Sequence, residues 1–192
     1  PVVTPEMHDR IMQQVIIPTV EGMESEGHPY TGFLYAGVMI DTDGIPKVLE
    51  FNCRFGDPET QPIMSRLQSD LSALCLSALD GKLDTTTAEW DPRAALGVVM
   101  AAGGYPESYP KGDQINGLDK VEGAKVFHAG TASNDDGNIV TSGGRVLCGV
   151  ALGDTVTSAQ SKAYEAVKQI EWDKVYYRTD IGHRAIAREA SN

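Results

Sequence analysis

Glu50 and Asn52 are the residues of this chain whose types and spacing point most directly to chemistry. They stand two positions apart in Lys47-Val48-Leu49-Glu50-Phe51-Asn52-Cys53, a run that is otherwise strand-like. Strand side chains alternate between faces, so a carboxylate and an amide at this spacing point the same way. Two adjacent hard oxygen donors make half of a Mg²⁺ site, which phosphate oxygens and water can complete. The competing reading of Glu50 is a solvent-facing residue on an edge strand. Against it stand an apolar neighbouring strand and the loop that follows. That loop gathers Arg54, Asp57 and Glu59 around Gly56, which permits a turn with positive φ. Arg54 carries a planar fork suited to a carboxylate or a phosphate. The loop then runs into a helix N-terminus, where backbone N–H groups favour an anion.

Several elements must hold these residues in place. Thr4-Pro5-Glu6 signals a helix start, and Met7, Ile11, Met12, Val15 and Ile16 follow at helical spacing. Pro18 should kink or end that helix, with a continuation to about Glu26. Thr31 to Ile40 reads as a strand, apolar on both faces, which predicts burial on both sides. Asp43-Gly44 is a hairpin turn signal. With a two-residue turn, Gly37 falls opposite Glu50 and Tyr35 opposite Asn52, leaving open space in front of the carboxylate. After the charged loop, Thr60 or Gln61 caps one long helix with Ile63, Leu67, Leu71, Leu74, Cys75 and Ala78 inward, stopped by Asp80-Gly81.

A second unit begins near Arg93. Ala94 to Ala102 reads as a buried strand and Ala124 to Ala129 as a short one. Asn138–Thr141 and Arg145–Leu152 are expected to pair as a hairpin around Ser142-Gly143-Gly144. Thr155 caps a final helix with Ala159, Ala163, Ala166, Val167 and Ile170 inward. The stretch from Tyr176 to Arg184 leads into a polar tail.

Composition narrows the function classes. The 192 residues suffice for one domain or two small ones, and 41% are hydrophobic, enough for a core. A net charge of −11 argues against nonspecific nucleic-acid binding, which needs a basic face. No apolar run approaches a membrane span and no secretory signal is visible. Cys53, Cys75 and Cys148 fit no zinc spacing and read as reduced thiols of a cytoplasmic protein. Neither GxxxxGK[ST] nor GxGxxG occurs, and the four histidines have no metal spacing. The chain opens on Pro1, straight into a helix signal, and is read as a piece of a longer protein.

The run Glu50-Phe51-Asn52-Cys53-Arg54-Phe55-Gly56-Asp57-Pro58-Glu59-Thr60-Gln61 resembles the signature of the phosphoribosylamine–glycine ligases, the glycinamide ribonucleotide synthetases. The likeness continues in Tyr30–Gly37, Leu96–Pro106, Lys125–Thr131, Gly143–Leu147 and Asp180–Ile186, in the same order. It implies an α+β chain: residues 1–82 as the later part of an ATP-grasp domain, an antiparallel sheet with helices, and 93–192 as a small α/β C-terminal domain. It implies ATP-dependent ligation of glycine to 5-phosphoribosylamine through a glycyl phosphate, a step of de novo purine synthesis. Glu50 and Asn52 then match the ligands of Mg²⁺ (or Mn²⁺) on the nucleotide. Arg54 is assigned to glycine or the acyl phosphate. Asp57 and Glu59 hold ammonium or ribose hydroxyls, or only order the loop through Arg54. The implied partners are ATP, glycine, 5-phosphoribosylamine and the missing N-terminal part of the same enzyme, with no nucleic acid and no membrane. The oligomeric state expected is a monomer and the location cytoplasmic. Many ATP-grasp enzymes carry a further acidic ligand on the preceding strand, where this chain has Val38 and Gly37, so the number of metals stays open. The alternative is another ATP-grasp carboxylate–amine ligase.

Overall fold

Thr4 opens the first helix, α1 (Pro5–Ile11), by accepting the Met7 N–H on its hydroxyl, with Pro5 in the first turn. This is a computed structural model, and it describes residues 3–191. The interruption expected at Pro18 takes the form of a π-helical turn over Met12–Ile16, after which α2 (Ile17–Ser25) starts with Pro18 at its N-terminal end. Widening the turn just ahead of a proline relieves the clash of its ring with the preceding carbonyls.

Strands β1 (Tyr35–Ile40) and β2 (Pro46–Asn52) form an antiparallel ribbon. Their turn has three residues rather than two. Gly44 N–H donates to the Asp41 carbonyl, Asp41 N–H donates to Ile45, and Gly44 takes φ 73°. The Asp41 carboxylate accepts the Asp43 and Ile45 N–H groups at 3.0 and 2.8 Å. A three-residue turn alone would slip the pairing by one. A bulge at Leu49 restores it: Val38 pairs with Val48, but Gly37 pairs with Glu50 and Tyr35 with Asn52. The expected partners are therefore found by a different route. Burial of β1 and β2 on both faces is not found. Met39 and Leu49 are 58% and 64% exposed, while the rest of β1 is only half-buried and the Met12–Ile16 turn packs against part of β2.

The single long helix expected from residue 60 is two, α3 (Thr60–Arg66) and α4 (Leu71–Leu79). Asp70 caps α4, accepting the Ser72 and Ala73 N–H groups at 2.7 and 3.2 Å. Leu67 leaves the helical stripe to bridge Trp90, and Ser69 Oγ accepts the Glu89 N–H at 2.8 Å. The apolar period ran through a break that the Ser69-Asp70 cap decides.

The chain divides into two compact units: Pro1–Asp57 with Leu67–Trp90, and Pro58–Arg66 with Asp91–Asn192. In the second unit, β3 (Ala94–Ala101), β4 (Lys125–His128) and β7 (Arg145–Gly153) form an antiparallel sheet with β7 central. Strands β5 (Thr131–Ser133) and β6 (Ile139–Thr141) make a separate ribbon. This corrects the hairpin expected between residues 138–141 and β7. Both edges of β7 are taken, and the Asn134 carboxamide accepts the Asp136 and Asn138 N–H groups, folding β6 back on β5.

Helix α5 (Val156–Val167) carries the buried stripe its spacing predicts, Ala159, Ala163, Ala166 and Val167. Its alanines seat it closely over Val98, Met100 and Val146, which are fully buried. The opposite sheet face meets α3, where a Cβ added at Gly97 would lie 3.1 Å from Pro62. The polar tail is also corrected: residues His183–Glu189 form helix α6. Glu189 accepts the Val156 and Thr157 N–H groups at 2.7 and 3.1 Å, serving donors that the first turn of α5 leaves open. Those bonds, Val156 first, hold its carboxyl below the usual range.

Asp91 ties the start of β3 to α3. Its carboxylate takes Arg93 Nε and Nη2 at 3.0 and 2.7 Å, its N–H donates to the Arg66 carbonyl at 2.7 Å, and only 8% of it is exposed. Hydrogen bonding from Arg93 lowers its pKa from 3.8 to about 2. A carboxyl depressed in the folded state stabilises above its unfolded pKa and loses that contribution as pH falls through the folded value. Denaturant midpoints measured from pH 5 to pH 2 should therefore fall less steeply for Asp91→Asn than for the parent, with the two curves converging at the acid end.

Candidate functional site

The site grows from the β2 register. Past the Leu49 bulge, Glu50, Phe51 and Asn52 pair regularly with Gly37, Ala36 and Tyr35. The side chains at 50 and 52 therefore leave the same face of the ribbon. Glu50 is exposed and Asn52 half-buried. A Cβ at Gly37 would meet the Glu50 Cγ at 3.1 Å, so glycine there keeps the carboxylate stem uncrowded.

The following loop is pinned by aromatics. Phe55 stacks on Phe33 with ring centroids 4.0 Å apart, and the Tyr30 hydroxyl donates to the Phe33 carbonyl at 2.7 Å. This joins the segment entering β1 to the segment leaving β2. Burial first, then Cys53, pushes the Tyr30 phenol above its ordinary pKa. Arg54 Nη1 donates to the Phe55 carbonyl at 2.8 Å, which leaves the rest of an exposed guanidinium facing solvent.

The structure thus brings Glu50 and Asn52 together, with Arg54 and Asp57 further along the same unit. Glu59 falls in the other unit, one residue ahead of α3. Sequence reasoning missed the Phe33–Phe55 stack. Its signal, one aromatic on each side of the hairpin, was absorbed into strand patterning. Among the described residues, no three His, Cys, Asp or Glu side chains could hold a metal by themselves. Glu50 and Asn52 fit one side of a hard-cation sphere whose remaining oxygens would come from a ligand or water.

A family model described as the ATP-grasp (A) domain of phosphoribosylglycinamide synthetase matches residues 1–60, and its C-domain counterpart matches residues 95–184. The chain belongs to the phosphoribosylglycinamide synthetase family. It is 68% identical over 191 residues to a phosphoribosylamine–glycine ligase of Vibrio parahaemolyticus and 63% identical to one of Salmonella typhimurium. Each alignment covers 98% of this chain and 44% of the relative, so the chain spans less than half the length of these proteins. The phosphoribosylamine–glycine ligase structure from Thermotoga maritima superposes with a TM-score of 0.81 at 36% identity, covering 93% of this chain and 44% of that one. An N5-carboxyaminoimidazole ribonucleotide synthetase from the same organism, TM-score 0.62 at 16% identity over 88% of this chain and 43% of that one, shares the fold. The family's α+β architecture of antiparallel sheets and helices is the one described above.

The aromatic clamp makes a local prediction. An offset aromatic stack contributes about 1 kcal/mol beyond the area it buries. Phe55→Ala should raise amide hydrogen exchange across residues 53–57 by about fivefold or more, while leaving exchange in β3 and β7 unchanged.

Proposed function

We propose that this chain is part of an enzyme that joins glycine to 5-phosphoribosylamine at the expense of ATP, giving glycinamide ribonucleotide, ADP and phosphate. The observation that carries the reading is the pairing of Glu50 and Asn52 on one face, opposite a glycine that keeps the carboxylate clear. In this reading residues 1–82 are the later part of the ATP-grasp domain and 93–192 the C-terminal domain.

Glu50 and Asn52 are the side chains that would hold Mg²⁺ or Mn²⁺. When bound, such an ion supplies charge neutralisation and alignment of the nucleotide phosphates. Two anions must meet for a carboxylate oxygen to attack the terminal phosphorus. Catalysis there is positioning and neutralisation rather than covalent help from the protein. Arg54 answers that need: its free N–H groups can fork onto the glycine carboxylate or the acyl phosphate. ADP departs from the phosphorus as the acyl phosphate forms. The phosphoribosylamine nitrogen then attacks the acyl carbon, the C–O bond breaks with its electron pair leaving on phosphate, and the amine gives up a proton. Asp57 and Glu59 are suited to the ammonium of glycine or the ribose hydroxyls.

The exposed apolar residues of the first unit support a larger parent. Met39, Leu49, Leu76 and Leu79 are all more than half exposed, and we assign their cover to the remaining part of the longer ligase. No helix among the described residues is long and apolar enough to cross a membrane.

In the full-length ligase, Glu50→Ala should lower kcat/KM by about a hundredfold or more, as loss of a metal-holding carboxylate does. Activity retained within about threefold would overturn the role. Glycine alone among the amino acids should support ADP release, which separates this ligase from other carboxylate–amine ligases of the fold. The 192-residue chain by itself, mixed with ATP, glycine and phosphoribosylamine, should release no ADP above background.

A further inference from the structure

The second unit has a concavity of about 450 Å³ where β7 ends and β3 and β4 begin. Val150 and Leu152 of β7 line it, and so do Arg93 from the loop just before β3, Lys125 from β4 and Lys162 from α5. A convergence of cations is unexpected in a chain with net charge −11. Two of the three are not neutralised. Lys162 Nζ reaches only the Leu152 carbonyl, at 3.3 Å, and Lys125 Nζ lies 5.8 Å from the centre of the Phe127 ring. Neither ammonium meets a carboxylate among the described residues. Arg93 differs: Asp91 holds it bidentately, and Asp154 lies close enough to stabilise its charge further. It is a fixed rim rather than a spare cation.

Like charges that face one concavity repel, and a shared anion is what relieves them. Lysine binds phosphate as a point charge with rotatable donors, so two of them can close on one phosphoryl group without a preformed fork. Half-buried Leu152 and the lysine stems add apolar surface beside those charges, over a Val150 that is itself only 2% exposed. The volume exceeds what a bare phosphate fills and lies in the range of small-metabolite sites. Access is open on one side: a Cβ added at Gly123, which lines the cavity, would meet nothing within 4 Å.

We propose that this concavity binds a small organic phosphate, its phosphoryl group between Lys125 and Lys162 and its carbon body against Leu152 and the lysine stems. The site lies wholly within the second unit and uses none of the residues assigned to the ligase reaction, so it stands or falls separately from that reading.

The test is a titration of the isotope-labelled chain with phenyl phosphate, orthophosphate and phenol, followed by backbone NMR. Phenyl phosphate should shift the amides of Gly123, Lys125 and Leu152 in a saturable way, about threefold more tightly than orthophosphate, and phenol should not. Lys125→Gln with Lys162→Gln should weaken phenyl phosphate about tenfold, and the matching pair of Arg substitutions should keep it within about threefold. If the double Gln variant loses its dispersed spectrum, each single Gln variant should still weaken binding about threefold. Shifts confined to other residues, equal binding of the two phosphates, or Gln variants that bind like the parent would overturn the proposal.

Discussion

The pairing register of one short ribbon governs everything read from the first unit. A strand presents a residue to one face or the other according to a count of one, so a single slip would carry Glu50 and Asn52 to the far side. Two features fix that count, and each alone would give the wrong answer. The Asp41–Ile45 turn adds one residue to the loop, with Gly44 in the left-handed region that makes such a turn accessible. The bulge at Leu49 adds one residue to β2. The two cancel, and Gly37 faces Glu50. An extra residue in a strand next to polar side chains re-aims those side chains, and here it does so at the position immediately before the carboxylate.

This cancellation shows what was legible in the residues and what was not. Asp43-Gly44 announces a turn, and alternation announces that 50 and 52 share a face. Neither announces loop length or a bulge, because both are settled by backbone hydrogen bonds between partners distant in the chain. The same limit explains the helix after the loop. Ile63, Leu67, Leu71 and Leu74 keep a helical period across a real break, since the Asp70 carboxylate accepting the Ser72 and Ala73 N–H groups outweighs periodicity. Leu67 pairs instead with Trp90, a partner more than twenty positions away. Where a feature is local and self-contained, reading succeeds: the Thr4 and Thr155 caps and the alanine stripe of α5 stand as their residues suggest.

The C-terminal region adds a second lesson about distance. Glu189 lies in a segment with little apolar patterning, and nothing in its neighbourhood marks a helix worth forming. Its carboxylate nonetheless meets the open N–H groups at the start of α5, more than thirty residues earlier. A short helix is marginal alone, so α6 depends on that tertiary contact and on Gln160, whose side-chain amide donates to the Ile181 carbonyl. Likewise the expected hairpin between β6 and β7 failed because β7, as the central strand, had partners already. Strand pairing is decided by competition among all strands, and one sequence shows only the candidates.

The two units also differ in what holds them. The second has a dry core in which Val98, Met100, Val146, Ala159 and Val167 are sealed from water. In the first, only Val15, Pro46 and Gly56 among the described residues are buried. The oxygen donors at 50 and 52 belong to the unit with almost no core of its own. Their geometry rests on directional contacts instead: the Asp41 turn, the bulge, the Phe33–Phe55 stack and the Tyr30 hydroxyl. Directional contacts fix local angles well but resist opening poorly, since little apolar surface is lost when they break. A site built this way is accurate in outline and depends on further packing to be held, whereas the concavity of the second unit is lined by Val150 and Leu152 of the central strand of its sheet.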